Sequence, residues 1–167
     1  MIPANLPHPH DKHLEAVEGW LGLGNWHEAE KELANIDPKY RAHPFVLELR
    51  YKIHEKAGQW DRAAAVAATL RDSLPDNQWG HFYLAYSLHE LKRTSEAYDT
   101  LAPVLPRFPD HWLMRYNLAC YACMLGKPDE ALTWLAQAIT LAGKKEIRTL
   151  SLSDPDLKPL WTKIKSL

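Results

Sequence analysis

The small and apolar positions of this chain recur in register at intervals of 34 residues. Four units align without an insertion, and they begin at His10, Pro44, Gln78 and Trp112. The twentieth position of the four units is Ala29, Ala63, Ala97 and Ala131. Positions twenty-four and twenty-seven are also apolar in every unit. Because packed helices approach more closely where the contacting side chains are small, these alanines indicate a close helix pair in each unit. The fixed period predicts a solenoid of helix pairs.

A glycine at the fifteenth position marks the turn between the two helices of a unit. Gly24, Gly58 and Gly126 occupy this position in three of the four units. Glycine suits the left-handed conformation that commonly ends a helix. The third unit has Lys92 there instead, so a different turn is expected at that point.

Capping and helix-breaking residues predict where the helices begin and end. Three prolines near the N-terminus predict an extended tail for residues 1–9. Pro103 and Pro106 predict that the second helix of the third unit is short or kinked. The helices are expected at about 11–23, 26–35, 44–57, 60–73, 78–91, from about 95 onward, 111–125 and 128–142.

The periodicity stops at Gly143, but the segment 144–167 remains too apolar for a free tail. The end of a solenoid exposes a hydrophobic face that needs a cap. Asp154 and Pro155 resemble a helix start, and the apolar residues that follow at helical spacing are Leu157, Leu160, Trp161 and Ile164. We therefore expect a linker followed by a capping helix at residues 155–165.

The repeated motif resembles the tetratricopeptide-repeat family over about residues 10–143. The resemblance rests on the spacing together with Tyr116-Asn117-Leu118-Ala119, Gly126 and Asp129-Glu130-Ala131. It implies an all-α, right-handed superhelical solenoid of four helix-turn-helix repeats, at 10–43, 44–77, 78–111 and 112–143. The chain departs from the family pattern in the second repeat, where Arg50 replaces a leucine at the seventh position.

Composition and charge exclude several classes of function. The chain has 167 residues, is 46% hydrophobic and carries a net charge of −1. Nucleic-acid binders usually carry a basic stripe, so no nucleic-acid partner is expected. No apolar run approaches the roughly 20 residues that span a membrane, and the N-terminus lacks the pattern of a signal peptide. A cytoplasmic location without a membrane partner is therefore expected.

Recognisable catalytic motifs are absent from the sequence. It contains no phosphate-binding loop, nucleophile elbow or dinucleotide fingerprint, and its His-Glu dipeptides lack the second histidine of zinc hydrolases. Cys120 and Cys123 lie within a predicted helix, where such a pair is ordinarily part of the core. His8, His10 and His13 belong to or adjoin a proline-rich tail. We expect no enzyme activity, no cofactor and no bound metal.

In the tetratricopeptide-repeat family, the first helix of each repeat lines a concave groove. The resemblance places an aromatic face with one asparagine in this groove, formed by Trp79, Phe82, Tyr83, Tyr86, Tyr116 and Asn117. Large aromatic side chains dominate the energetics of protein interfaces, and an asparagine can hydrogen-bond an extended backbone. The predicted function is a non-catalytic adaptor or assembly factor that binds a peptide or helix of a partner protein. The family's clamp for C-terminal carboxylates is not matched at the corresponding positions.

Several alternatives remain open. The groove is also compatible with filling by the N-terminal tail, by the C-terminal cap or by a second copy of the chain in a homodimer. A small secretion-type chaperone for an aggregation-prone client would have a similar size and repeat type. A metal- or redox-responsive regulator would use Cys120, Cys123 or the N-terminal histidines.

Overall fold

The computed structural model describes residues 6–166, and the regular secondary structure in this range is entirely helical. The all-α prediction is confirmed. Most of the tail predicted for residues 1–9 lies outside the described residues. Short 3-10 helices occur at Pro38–Tyr40, Ala102–Arg107 and Pro155–Leu160. The α-helices are α1 (His10–Gly22), α2 (Trp26–Leu33), α3 (Pro44–Lys56), α4 (Trp60–Ser73), α5 (Gln78–Glu90), α6 (Thr94–Leu101), α7 (Trp112–Met124), α8 (Pro128–Ala142), α9 (Lys144–Ser153) and α10 (Trp161–Ser166).

Side-chain caps and prolines set several helix boundaries, and the prolines act as the sequence predicts. Asn25 precedes α2, and its side chain accepts a hydrogen bond from the Glu28 backbone N–H at 3.3 Å. Pro44 occupies the first turn of α3, where a missing N–H costs no intrahelical bond. Helix α6 ends at Leu101, and the following segment with its two prolines continues as a 3-10 helix. The shortened second helix predicted for the third repeat is thus confirmed.

The chain divides after Ser87 into two compact units, called here the first unit and the second unit. In the first unit, α1 packs against α2, α3 packs against α4, and α3 also contacts both α1 and α2. Ala29 and Ala63, the recurrent alanines of this unit, are completely buried. Their small side chains allow the paired helices to approach closely.

Helix α5 approaches the end of α4 especially closely at Gly80. A Cβ atom at this position would lie 2.6 Å from both the Cα and the backbone nitrogen of Arg71. Such a contact is far inside van der Waals distance. Gly80 is therefore required by the packing of these two helices, although its own backbone is in an ordinary helical segment.

The turn at Lys92 has the same geometry as the glycine turns. Lys92 adopts φ +64°, compared with +73° at Gly24, +66° at Gly58 and +72° at Gly126. The backbone N–H after Lys92 donates to the carbonyl of Leu88 at 2.9 Å, as the N–H after Gly58 does to that of His54, also at 2.9 Å. These bonds are the reverse contacts of a Schellman motif. The expectation of a different turn was therefore wrong, because the helix-ending hydrogen bonds hold a lysine in the left-handed conformation.

Replacing Lys92 by glycine is expected to stabilise the protein by about 0.5–1 kcal/mol. A side chain at positive φ costs about 1–2 kcal/mol, and the greater freedom of glycine in the unfolded chain offsets part of the gain. Thermal unfolding followed by circular dichroism measures the change. The reciprocal variant, Gly58→Ala, meets no atom within 4 Å, so it isolates the backbone effect and should lower the melting temperature. An unchanged or lower melting temperature for Lys92→Gly would contradict the expectation.

In the second unit, α7 packs against α8, α8 against α9, and α9 against α10. The 3-10 helix Pro155–Leu160 packs on α7 and also contacts α9 and α10. Leu157, Leu160 and Ile164 are buried, as the predicted capping stripe requires. The cap differs from the prediction in its shape, since residues 155–160 are a 3-10 helix and only Trp161–Ser166 is α-helical.

Helix α9 occupies the segment for which the sequence predicted a linker. Gly143 ends α8 with φ +96°, and a new helix begins at the next residue. Only Ile147 and Ser151 of α9 are buried. A single buried face of two residues, one of them polar, leaves little hydrophobic signal for sequence analysis to detect.

Candidate partner-binding surfaces

The predicted aromatic residues of the first unit lie on one face of α5. Trp79, Phe82, Tyr83 and Tyr86 are spaced three and four residues apart, which places their side chains together on a helix. We call these four residues the α5 aromatic cluster. Tyr83 contacts Trp79 with ring centroids 5.7 Å apart, and Phe82 lies 6.3 Å from Tyr86. The structure therefore brings together the part of the predicted site that the first unit contains.

Tyr83 is the buried member of the cluster. Its ring stacks on that of Tyr51 of α3, with centroids 4.1 Å apart and an interplanar angle of 17°. Its hydroxyl donates to Glu48 Oε1 at 3.4 Å, and the same oxygen forms an ion pair with Lys52 at 2.8 Å. Burial, and secondly the Glu48 carboxylate, raise the pKa of the Tyr83 hydroxyl well above its usual range. Tyr83 thus joins α5 to α3 as a packing residue.

Trp79, Phe82 and Tyr86 are partly exposed, in contrast to Tyr83. The rings of Phe82 and Tyr86 are nearly parallel, at an interplanar angle of 6°, and Trp79 meets Phe82 edge to face at 89°. Trp60 of α4 supports Tyr86 with an edge contact at 5.7 Å. Neighbouring rings restrict the rotamers of these side chains, so a partner that contacts them would lose little further side-chain entropy.

The predicted residues of the second unit are buried, and Tyr116 lies beneath the chain's own C-terminal segment. Tyr116 is 4% exposed and Asn117 is 8% exposed. The Tyr116 hydroxyl donates to Asp154 Oδ2 at 2.7 Å, and Asn117 Nδ2 donates to the Tyr121 hydroxyl at 3.4 Å. Burial is the main cause that raises the pKa of Tyr116 above its usual range. In this unit the C-terminal cap covers the face of α7 that the family resemblance assigned to the groove.

Two aspartates of the C-terminal segment anchor it within the second unit. Asp154 accepts from Tyr116 and, through its other oxygen, from the Asp156 backbone N–H at 3.0 Å. Asp156 Oδ2 lies 2.8 Å from His89 Nε2, and the other ring nitrogen of His89 contacts Thr94 Oγ1 at 3.0 Å. From the sequence alone, Asp154 is recognisable only as a helix cap. Its partners are far away along the chain, so no local pattern could reveal the anchoring contacts.

The two cysteines have the surroundings of structural residues. Both Cys120 and Cys123 are buried and unpaired. Burial is the largest cause that raises the pKa of each thiol, and Asp154 and Asp156 raise it further. Since the thiolate is the reactive form, a raised pKa disfavours redox chemistry at neutral pH. These surroundings give no support to the regulator alternative.

The N-terminal histidines do not converge on one point, and His13 contacts an acidic side chain. His13 Nδ1 lies 2.6 Å from Glu32 Oε1, and the ring centroids of His10 and His13 are 6.4 Å apart. Among residues 6–166, no group of three or more histidine, cysteine or acidic side chains is arranged to hold a metal ion. None of the described helices is both long enough and apolar enough to cross a lipid bilayer.

Comparisons with known proteins agree with the repeat architecture. Residues 55–115 match the model of the tetratricopeptide-repeat family. The fold is similar to that in the crystal structure of a thermophilic TPR protein in Thermus thermophilus, with a TM-score of 0.70 and 17% sequence identity. The match covers 94% of this chain and 99% of that chain. At this identity the similarity concerns the fold alone. No curated protein sequence matches this chain significantly.

Proposed function

We propose that this chain, which belongs to the tetratricopeptide-repeat family, is a non-catalytic protein-interaction module. Its binding surface includes the α5 aromatic cluster, and its ligand is a peptide or helix of a partner protein. The observation that supports this proposal most directly is the set of three partly exposed rings on one helix face, Trp79, Phe82 and Tyr86. Apolar groups that lie together at a protein surface commonly mark interaction sites.

The chemistry of the cluster favours a partner segment with an apolar anchor. Phe82 supplies a purely apolar ring, whereas Trp79 and Tyr86 each combine an apolar ring with one polar group. Truncation of aromatic side chains of this kind causes the largest losses of binding free energy in protein interfaces. An aliphatic or aromatic side chain of the partner would gain most by packing against the Phe82 and Tyr86 rings.

Tyr83 has a different role in the proposal from that of its neighbours. It is 9% exposed, stacks on Tyr51 and binds Glu48. Replacing it would disturb the junction of α3 and α5 whether or not a partner binds there. A test of binding is therefore cleaner at Phe82 and Tyr86, and Tyr83 supports their positions from below.

Tyr116 contributes to binding only if the partner displaces the C-terminal segment, and Asn117 is also buried. Tyr116 is bonded to Asp154, and both predicted residues are buried in the second unit. A partner would have to supply an acceptor for the Tyr116 hydroxyl in place of Asp154, because an unpaired buried hydroxyl is costly. The proposal accordingly rests on the first unit.

The double variant Phe82→Ala/Tyr86→Ala is expected to weaken partner binding at least about tenfold, which corresponds to about 1.4 kcal/mol. The measurement begins with affinity capture from native lysate and mass spectrometry, which identifies a protein retained by the wild-type chain. Titration of that purified protein against wild type and variant, by isothermal calorimetry, then gives the change in affinity. Circular dichroism verifies that the variant keeps its helical content.

Trp20→Ala provides the matched control. Trp20 lies on α1 of the same unit, is 36% exposed and is not part of the cluster. Its replacement removes a comparable exposed aromatic surface and should leave partner affinity unchanged. Equal affinity of wild type and the Phe82→Ala/Tyr86→Ala variant would overturn the proposal, and equal losses in both variants would show that the effect is not specific to α5.

A further inference from the structure

The first unit contains a hollow of about 330 Å³ formed by α2, α3 and the loop between them. One wall is apolar and consists of Leu33, Ala34 and Ile53, while the polar groups are Glu30, Arg41, Arg50 and His54. The hollow is separate from the α5 aromatic cluster and shares no residue with it. Its volume is in the range of small-ligand sites.

Arg50 gives this hollow its chemical character. It stands at the seventh position of the second repeat, where the family pattern has a leucine. Its side chain is only partly exposed, and burial lowers the pKa of its guanidinium, with the nearby Arg41 lowering it further. A half-buried cation beside a second cation is unfavourable unless an anion compensates both charges.

Within residues 6–166, neither Arg41 nor Arg50 forms an ion pair or a hydrogen bond through its guanidinium. Two other arginines of the chain are compensated, since Arg71 pairs with Asp72 at 2.7 Å and Arg93 with Glu96 at 2.6 Å. Glu30 also lines the hollow, but it is exposed and makes no ion pair with either arginine. The two cations outnumber this one carboxylate, so the hollow has a net positive charge.

His54 is held in a defined orientation at the same site. Its Nδ1 lies 2.9 Å from Gln59 Oε1, and Arg62 donates to the same oxygen at 3.3 Å. Because an arginine can only donate, this oxygen is the acceptor, and His54 Nδ1 carries the hydrogen. The imidazole is thus a fixed polar wall beside the two guanidinium groups.

We propose that this hollow binds a phosphoryl oxyanion, which Arg50 and Arg41 hold together. A guanidinium presents paired N–H donors that match two oxygens of a phosphoryl group, and two guanidinium groups match its double negative charge. The apolar wall leaves room for the organic body of a small phosphomonoester. Free phosphate and a phosphomonoester share the recognised group, and the wall distinguishes between them, since only the ester gains contacts with Leu33 and Ile53.

The test is a titration of the full chain, labelled with ¹⁵N, against inorganic phosphate and separately against phenyl phosphate at low ionic strength. The expected result is a saturable shift of the Arg50 Nε–Hε signal and of backbone amides at the ends of α2 and α3. Tighter binding of phenyl phosphate would assign a phosphomonoester as the ligand type, and equal or tighter binding of phosphate would assign the free ion. Absence of a saturable shift with both probes would overturn the proposal.

Arg50→Leu restores the residue of the family pattern and should reduce affinity at least about tenfold. Arg41→Gln lies at an exposed position, so it tests the same site even if Arg50→Leu perturbs folding. Lys12→Gln removes one positive charge from an exposed position on α1 and should leave affinity unchanged. Retained affinity in the Arg41→Gln variant, or an equal loss in Lys12→Gln, would show that binding is not located in the hollow.

Discussion

Gly80→Ala is expected to destabilise the first unit by about 3 kcal/mol or more. The added Cβ would lie 2.6 Å from the Cα and the nitrogen of Arg71. Both are backbone atoms, which cannot move aside by a side-chain rotation. Relief requires that α5 shift away from α4, and such a shift would disturb the stacking of Tyr83 on Tyr51. Urea unfolding followed by circular dichroism should show the loss as a lower midpoint.

Gly19→Ala is the control for this prediction. Gly19 lies within α1, and a Cβ at this position meets no atom within 4 Å. Alanine is favoured over glycine in a helix interior by about 0.5–1 kcal/mol, so this variant should raise the unfolding midpoint slightly. If the unfolding midpoint falls in Gly80→Ala but rises in Gly19→Ala, the effect of packing is separated from that of helix propensity. A Gly80→Ala protein as stable as the wild type would show that α4 and α5 do not approach so closely.

Asp154→Ala is expected to release the C-terminal segment from α7, with a local loss of about 3 kcal/mol. The change removes the acceptor of the buried Tyr116 hydroxyl and the cap of the 3-10 helix Pro155–Leu160. The hydroxyl is then left without its partner in a site that is 4% exposed. Amide hydrogen exchange at residues 155–166 should accelerate about 100-fold, the factor that corresponds to this free energy.

Removing the Tyr116 hydroxyl together with the Asp154 carboxylate distinguishes the cost of the unpaired hydroxyl from that of the lost cap. The Asp154→Ala/Tyr116→Phe variant contains no unpaired tyrosine hydroxyl, so it should lose less stability than Asp154→Ala alone. Asp154→Asn keeps an oxygen acceptor for the cap and should show an intermediate loss. Unchanged exchange rates in Asp154→Ala would contradict the anchoring role inferred from the 2.7 Å bond.

The α5 aromatic cluster shows how far the sequence predicts the site. Helical spacing correctly placed Trp79, Phe82, Tyr83 and Tyr86 on one face, because the positions of side chains around a helix follow from residue number. The separation of this face into a buried Tyr83 and partly exposed neighbours was not predictable. It depends on Tyr51 and Glu48 of α3, which lie more than thirty residues earlier in the chain.

Tyr116 and Lys92 illustrate two further limits of the sequence. At Tyr116 the family resemblance predicted a groove residue, but the C-terminal segment covers it through Asp154. At Lys92 residue preference predicted a different turn, yet the hydrogen bonds of the helix end hold a positive φ. At Lys92 the backbone contacts outweigh a local preference that is worth only about 1 kcal/mol, whereas at Tyr116 a tertiary contact decides the exposure of the side chain.

The sequence by itself determined the helix pairs, because recurrent alanines, turn glycines and caps act over three or four residues and repeat at a fixed interval. The tertiary structure alone decided the close approach at Gly80, the burial of Tyr116 and the placement of Arg50 and Arg41 at the same hollow. Each of these depends on atoms from different helices meeting in space. Local residue preferences contain no information about such meetings, so only the packed chain reveals them.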